Sequence, residues 1–111
     1  MPFDPSVDRH ADLRLWRAQF PDVTPVRDLI PRQPQTCVGV VAKIRLVPGR
    51  QLEVTIEDGS GHMTAVFTGR SNLPGLELGG GLRLTGTVAS DADSELQMRN
   101  PAWTTVSEPY A

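Results

Sequence analysis

Cys37 and His62 are the side chains whose types could supply a nucleophile and its general base. A cysteine attacks as the thiolate, so a catalytic cysteine needs an accessible position beside a group that ionises it. Cys37 instead begins an apolar segment with the alternation of a strand, where a cysteine is usually a buried and unreactive thiol. The sequence therefore predicts no catalytic residue, and we expect a protein that is not an enzyme.

Metal and phosphate chemistry have equally little support in the sequence. One cysteine and two widely separated histidines do not have the spacing of zinc ligands. The carboxylates of Glu57 and Asp58 could hold a divalent cation weakly, but we expect them to flank a turn. The segment Gly79-Gly80-Gly81 lacks the lysine and the helix that follow in a phosphate-binding loop. We therefore expect neither a bound metal nor a cofactor.

The stretch from Gln51 to Arg70 predicts a central β-hairpin. Apolar side chains alternate with polar ones before Asp58 and again after Gly61, which is the period of strands with one buried face. The glycines on either side of Ser60 allow the chain to reverse. A slip of one residue would expose the apolar side chains and bury glutamates, so the register is fixed.

The remaining segments extend this hairpin into a barrel. A first strand is predicted from Cys37 to Leu46, in which Val38 and Val40 share the inward side and Lys43 and Arg45 face outward. Gly39 indicates a bulge or a sharp coil, which would let this long strand serve both sides of the barrel. After a loop over residues 71–81, a fourth strand is followed by a fifth from residue 95 to residue 99 and by an extended piece over residues 102–106. This order predicts a mainly β protein with a five-stranded Greek-key barrel of the OB type. An SH3-like barrel is the nearest competitor, but it usually lacks a long segment between its third and fourth strands.

The first 31 residues predict a helical extension of the barrel. Asp4-Pro5 is typical of a helix start, and Trp16 and Phe20 have the spacing to dock the helix onto the barrel, although they could instead face a partner protein. The expected organisation is a helical extension over residues 1–31, an OB-fold domain over residues 32–106 and a tail over residues 107–111.

The charge of the 111-residue chain is nearly balanced, with 11 basic and 13 acidic side chains and a net charge of −2. This balance argues against strong non-specific DNA binding, which depends on the neutralisation of phosphates. A single cysteine cannot form an internal disulfide, and we find neither the profile of a signal peptide nor an apolar run of the ~20 residues that span a bilayer. We expect a cytoplasmic protein without a membrane partner.

Several segments in a fixed order resemble a known superfamily. Ile56 to Gly61 precedes an apolar strand, Leu78-Gly79 approaches Leu82, and the strand at Gly86 to Val88 is followed by Asn100-Pro101. Together they resemble the OB domains of the tRNA-anticodon type. That superfamily includes the wedge domain of the RecG branch-migrating helicase and related domains of replicative polymerase subunits.

The segment from Thr24 to Arg32 also looks like the lead-in of small stand-alone OB-fold proteins of actinobacteria. The resemblance covers roughly residues 25–106. It implies nucleic-acid binding without catalysis, with single-stranded or branched DNA as the expected ligand, a role accessory to DNA repair or recombination, and RNA as an alternative ligand.

The resemblance also implies where a nucleic acid would lie. In an OB domain, the binding surface is the outer face of the first three strands, flanked by the first-to-second and fourth-to-fifth loops. Basic side chains on such a face bind phosphates, and aromatic rings stack on bases. The expected nucleic-acid-binding residues are Lys43, Arg45, Arg50, Thr55, His62, Thr64, Arg70, Gln97, Arg99 and Trp103.

Some residues oppose this interpretation. Glu53 and Glu57 belong to the same outward set, and Val66 stands where members of the superfamily carry basic or aromatic residues. The last loop is acidic between residues 91 and 95. The alternative is therefore a protein-interaction module, in which the N-terminal helix or a sheet edge binds a partner and nucleic-acid binding is weak or absent.

Overall fold

A computed structural model of the chain describes residues 5–90 and 95–107, and side chains from residue 9 onward. Asp4, which was expected to cap the helix, lies outside the described residues, as do residues 91–94 of the acidic loop. The helical elements are α1 (Pro5–Arg17) and a short 3-10 helix (Val26–Asp28). The strands are β1 (Pro34–Val47), β2 (Gln51–Glu57), β3 (His62–Thr68), β4 (Gly81–Ser90), β5 (Leu96–Arg99) and β6 (Ala102–Val106).

The strands close into a ring in the order β1, β2, β3, β5, β4 and back to β1. Among the strand pairings of the described residues, β3–β5 is parallel and the others are antiparallel. The strand β6 pairs with the first half of β4, and β5 pairs with the last residues of β4. The sequence expectation of a mainly β, OB-type barrel with an N-terminal helix is confirmed.

The side chains of β1 do not follow their predicted alternation. Cys37 and Val41 lie in the barrel core, whereas Val38 and Val40 pack against α1 on the outer side. The burial of Cys37 is confirmed, but the predicted inward placement of Val38 and Val40 was wrong. The reason is that α1 covers the outer face of β1, so both faces of this segment are apolar and the pattern does not indicate which one is inside.

The irregularity of β1 also lies further along than predicted. The register with β2 shifts between Val41 and Lys43, so the bulge falls at Ala42 and not at Gly39. Gly39 has a different role: a Cβ there would lie 2.9 Å from the Glu57 carbonyl oxygen. Gly39 therefore permits a close approach of β2 at the point where β1 exchanges β4 for β2.

The helix α1 is docked onto the barrel, as its aromatic residues predicted. Leu13 and Trp16 form a second apolar cluster with Val38 and Val40, and Phe20 packs against its side. The rings of Trp16 and Phe20 pack edge to face, with their centroids 5.4 Å apart. The Trp16 indole N–H also donates a hydrogen bond of 2.9 Å to the Ser107 carbonyl oxygen, so the helix is tied to the residue that follows β6. In the part of the chain that the structure describes, neither α1 nor any other helix is long and apolar enough to cross a membrane.

Asp58 fixes the β2–β3 turn to the N-terminal segment. Its buried carboxylate accepts hydrogen bonds from the Arg17 guanidinium, the Val26 backbone N–H and both the backbone N–H and the hydroxyl of Ser60, at 2.7 to 2.9 Å. Burial by itself would raise the pKa of Asp58, but these hydrogen bonds outweigh it and hold the pKa below its ordinary value. Asp58 therefore has a structural role at a turn, as expected for this pair of carboxylates.

Candidate nucleic-acid interface

The outer face of β1, β2, β3 and β5 carries the expected binding residues in rows that cross the strands. Residues paired across neighbouring strands share a face of the sheet, so the register shows which side chains are aligned. The first row consists of Lys43, Thr55, Thr64 and Gln97. The Thr55 and Thr64 hydroxyl oxygens are 3.0 Å apart. This row combines a cation with hydrogen-bonding groups and contains no carboxylate.

The second row consists of Arg45, Glu53, Val66 and Arg99. Its carboxylate lies between the two arginines: the Glu53 carboxylate is 3.8 Å from the Arg45 guanidinium and accepts a hydrogen bond of 3.0 Å from the Gln51 amide. Val66 is only 3 % exposed, so the centre of this row is apolar and closely covered. The two rows together form what we call the outer basic face.

The character of the sheet changes toward the β2–β3 turn. Here Glu57 pairs with His62 in the register, and the His62 imidazole lies 3.1 Å from the Glu95 carboxylate. Arg9 from α1 forms an ion pair with Glu57. His62 therefore lies among carboxylates, at the end of the sheet away from Arg45 and Arg99.

Arg50 and Arg70 lie at the opposite end of the sheet. Arg50 belongs to the turn between β1 and β2, and its carbonyl oxygen accepts a hydrogen bond of 2.7 Å from the Gly69 N–H. This bond brings the end of β3, and with it Arg70, to the turn. Both side chains are exposed and extend the basic charge of Arg45 and Arg99 beyond the strands.

The structure separates Trp103 from the outer basic face. Trp103 pairs with Leu84, a core residue, so its half-buried ring lies on the inner side of the sheet. Arg99 follows the core residue Met98 and pairs with Val66 on the outer side. Arg99 and Trp103 were both expected among the nucleic-acid-binding residues, with Trp103 either closing the barrel or exposed beside Arg99 for stacking, but the two side chains occupy different faces.

Trp103 instead lines an open groove at the end of the barrel, with a volume of about 520 Å³. Arg70 is the one expected binding residue that shares this groove with it. We call it the terminal groove, and its lining residues are Phe67, Arg70, Asn100, Pro101, Ala102 and Trp103.

Asn100 shapes the terminal groove, although the sequence indicated it only as a strand end and as part of the resemblance, not as a site residue. Its φ angle of 48° is left-handed, which asparagine tolerates better than most residues. Its side-chain oxygen accepts the Thr68 N–H at 2.9 Å, and its own N–H donates to the Val66 carbonyl oxygen at 2.7 Å. The Asn-Pro step after a predicted strand was the available signal for this junction.

The basic side chains divide into two groups by their contacts. The arginines of the helices and the arginine of β4 contact groups of the protein itself. These contacts are Arg9 to Glu57, Arg14 to the Gly59 carbonyl oxygen, Arg17 to Asp58, Arg27 to Asp28 and Arg83 to Asp22. Arg45 has only its 3.8 Å contact with Glu53. Over residues 9–90 and 95–107, five basic side chains have neither an ion pair nor a hydrogen bond: Arg32, Lys43, Arg50, Arg70 and Arg99. Four of these five lie on the outer basic face or at its end.

Cys37 lies on the inner side of β1 in the barrel core. Burial raises the pKa of its thiol to about 12, and the nearby charge of Asp58 acts in the same direction. The thiol is therefore protonated at neutral pH, and His62 lies on a different, exposed part of the sheet. Among the described side chains, no three metal-ligating residues come together.

No known family profile matches the chain, and no curated protein matches it significantly. Solved structures do match, at low sequence identity. The HINb domain of p204 aligns with 83 % of this chain and 51 % of its own, at a TM-score of 0.65 and 19 % identity.

Two further matches are to parts of longer chains. Asparaginyl-tRNA synthetase from Entamoeba histolytica aligns with 78 % of this chain at a TM-score of 0.61 and 22 % identity, and the match spans 24 % of the synthetase chain. A replication protein A heterotrimer bound to ssDNA aligns with 66 % of this chain and 57 % of the matched chain, at a TM-score of 0.54 and 19 % identity. This chain therefore corresponds to only part of the length of each of these three matched chains, and what it shares with them is the OB fold.

Proposed function

We propose that this chain is a non-catalytic, cytoplasmic nucleic-acid-binding protein that holds single-stranded or branched DNA on its outer basic face, in a role accessory to DNA repair or recombination. The observation that carries this proposal is the distribution of the basic side chains. Cations elsewhere in the fold are mostly bonded to protein groups, whereas Lys43, Arg50, Arg70 and Arg99 are left available at one face and its end.

Binding on this face would follow the nucleic-acid backbone. Lys43, Arg45 and Arg99 would contact phosphates. The hydroxyls of Thr55 and Thr64 bond to each other, so one of the two has a hydrogen left to donate to a phosphate or sugar oxygen. None of these contacts reads a base edge. We therefore expect little sequence preference.

The size of the face limits the affinity. The two rows cross four strands, which corresponds to about 14 Å of sheet. Glu57 and Glu95 lie at the end beyond His62 and repel phosphates, so the bound strand is confined to the half of the sheet that carries Arg45 and Arg99. Only a few nucleotides fit this half, and we expect weak binding that depends strongly on salt.

The matched structures support a nucleic-acid ligand only through the fold. One of them is described as bound to ssDNA, and another belongs to a tRNA synthetase. A fold hosts many functions, so this likeness raises the expectation while the residues of the outer basic face supply the chemical argument.

The alternative, a protein-interaction module that uses α1, has less support. The aromatic side chains that α1 would offer to a partner are packed against the barrel, with Trp16 only 5 % exposed. Leu15 on the outer side of α1 is exposed, but it is a single side chain, and scattered apolar residues are normal on protein surfaces.

The experiment that tests the proposal is a fluorescence-anisotropy titration of labelled single-stranded DNA, duplex DNA, forked DNA and RNA at low and physiological salt. The test variant is Lys43→Gln/Arg45→Gln. The matched control is Arg32→Gln, which removes an exposed and unpaired arginine away from the face. Each phosphate contact contributes about −0.7 to the slope of log K against log salt for a single strand, so the slope for the double variant should be less negative by about 1.4.

The outcomes separate the two functions. Weaker binding in the double variant with normal binding in Arg32→Gln supports the outer basic face, and the preferred ligand distinguishes DNA from RNA and single strands from forks. If none of the four nucleic acids binds at low salt, the proposal is wrong and the protein-interaction module becomes the better hypothesis.

A further inference from the structure

We propose that the terminal groove binds one nucleotide, with its base stacked on Trp103 and its phosphate held by Arg70. The inference deepens the proposed function and rests on it in one respect: the natural occupant would be the end of a strand that lies on the outer basic face. The groove itself is a separate site on a different side of the sheet.

The walls of the groove suit a flat, apolar ring. Trp103 is half-buried and packs with part of its ring against the barrel core, so its orientation is set before any ligand arrives. Pro101 is buried and Phe67 is only 2 % exposed, so the accessible apolar side chains of the groove are those of Trp103 and Ala102. The volume of about 520 Å³ lies in the range of roughly 300 to 1,000 Å³ that is usual for small-molecule sites.

The charge of the groove favours an anion. Arg70 is the one charged residue among the six that line it, and over the described residues it has no ion-pair partner. A base without a phosphate would leave this cation unused, and a phosphate without a ring would leave Trp103 unused. A nucleotide combines both groups, and base stacking on an aromatic side chain is common in single-strand binding.

Asn100 supplies a fixed polar group at the same place. Its amide N–H donates to the Thr68 hydroxyl oxygen at 3.1 Å, and its oxygen accepts the Thr68 backbone N–H. An asparagine amide has two hydrogens, so one donor remains for an acceptor on a base or sugar. Because both ends of the amide are held, this donor needs no reorganisation when a ligand binds.

The groove is continuous with the outer basic face through the chain itself. Arg99 lies on the outer face, Asn100 follows it and lines the groove, and Trp103 lies beyond on the inner side. A strand that crosses the second row must turn around this edge of the barrel to reach Trp103. Such a turn unstacks the terminal base from the neighbouring base of the strand. The groove therefore suits an unpaired terminal nucleotide.

Calorimetric titration of the whole chain with dAMP, dCMP, deoxyadenosine and inorganic phosphate tests the proposal. We expect dAMP to bind more tightly than dCMP because a purine offers the larger stacking surface, and more tightly than deoxyadenosine or phosphate alone. The variant Trp103→Leu should weaken dAMP binding by about 5- to 150-fold, whereas Trp103→Phe should retain part of it. Arg70→Gln should weaken dAMP binding but leave deoxyadenosine binding unchanged.

Two controls keep the test independent of folding. Arg70→Gln changes only an exposed side chain, so its effect does not depend on the stability of Trp103→Leu. Arg32→Gln removes an equal charge from a residue that does not line the groove and should leave all four titrations unchanged. Quenching of tryptophan emission gives a second readout, because Trp16 is buried between α1 and β1 whereas Trp103 borders the groove.

The failure of this inference can be distinguished from failure of the proposed function. Absence of dAMP binding, together with DNA binding that Lys43→Gln/Arg45→Gln weakens, overturns the terminal groove as a nucleotide site and leaves the outer basic face intact. Nucleotide binding that needs Trp103 and Arg70, in a protein that binds no DNA, supports the groove and overturns the outer face. If the protein binds neither dAMP nor DNA, both the terminal groove and the outer basic face are overturned as binding sites.

Discussion

The guanidinium of Arg17 donates a hydrogen bond of 2.9 Å to the buried carboxylate of Asp58, and this contact joins the last turn of α1 to the turn between β2 and β3. The same carboxylate oxygen accepts the N–H of Val26, at the start of the 3-10 helix. One side chain therefore connects three segments that are distant in sequence. The N-terminal segment is part of the folded unit and not an appendage to it.

Replacing Asp58 by alanine should lower the free energy of unfolding by about 3 kcal/mol, because it leaves the partly buried Arg17, the Val26 N–H and both donors of Ser60 without their acceptor. Denaturant titration measures the change. Asp28→Ala is the matched control, since the Asp28 carboxylate is exposed and 3.9 Å from Arg27, and it should cost less than about 1 kcal/mol. Equal losses in the two variants would contradict the central role of Asp58.

The same carboxylate should make stability sensitive to acid. The folded-state pKa of Asp58 lies below its ordinary value of 3.8, so its stabilising contribution is complete above that value and is lost as the pH falls through the lowered pKa. Asp58→Asn lacks this titration. The difference in stability between the wild type and Asp58→Asn should therefore shrink as the pH is lowered below 3.8, and a constant difference would contradict the assignment.

Gly59 should tolerate no side chain. Its φ angle is +86°, and a Cβ there would lie 2.3 Å from the His10 carbonyl oxygen of α1. Gly79 has nearly the same φ, +85°, with no atom within 4 Å of that position. Gly79→Ala should therefore cost about 1 to 2 kcal/mol from backbone strain alone, and Gly59→Ala about 2 to 4 kcal/mol because α1 must also move. Thermal unfolding of the two variants would measure the difference.

Removing the carboxylate from the outer basic face should strengthen nucleic-acid binding. Glu53 lies between Arg45 and Arg99 in the second row, where it repels phosphates and holds Arg45. Glu53→Gln should tighten binding at low salt and make the salt dependence steeper. Glu77→Gln, a loss of one exposed carboxylate in the loop before β4, should have little effect in the same anisotropy titration. Unchanged affinity in Glu53→Gln would place the nucleic acid elsewhere.

Cys37 should react with alkylating reagents only when the barrel opens. Its pKa of about 12 keeps the thiol protonated at neutral pH, and its side chain is fully buried. Mass spectrometry after treatment with iodoacetamide should show no modification in the native protein and complete modification in denaturant. Rapid native alkylation would show that the core near β1 is accessible.

The sequence predicted the barrel well where one face of a strand is buried and the other is exposed. In β2, the buried residues Leu52, Val54 and Ile56 alternate with partly exposed polar ones, as the local pattern requires. The first half of β1 defeated the same reasoning because Val38 and Val40 are buried by α1, which is a tertiary contact that no local period contains.

For the candidate site, the sequence predicted which side of the sheet several residues occupy. Alternation identified Lys43, Arg45, Thr55 and Thr64 as outward residues, and the register brings them onto one face. The separation of Trp103 from Arg99 was not predictable, because it depends on the Asn-Pro junction and on the pairing of Trp103 with Leu84. The side of the sheet on which Trp103 lies is set by its pairing with β4, a strand that lies about twenty positions earlier in the sequence.

The double pairing of β1 has a consequence for how the chain folds. Val40 pairs with Glu57, which is near in sequence, and also with Gly81, which is 41 positions away. Contacts between distant positions cost more chain entropy and form more slowly than local ones. The three-stranded meander from β1 to β3 should therefore assemble early, and barrel closure by β4 should be the late step. A residue that acts only in closure, such as Leu84, should then affect the unfolding rate more than the folding rate when it is truncated.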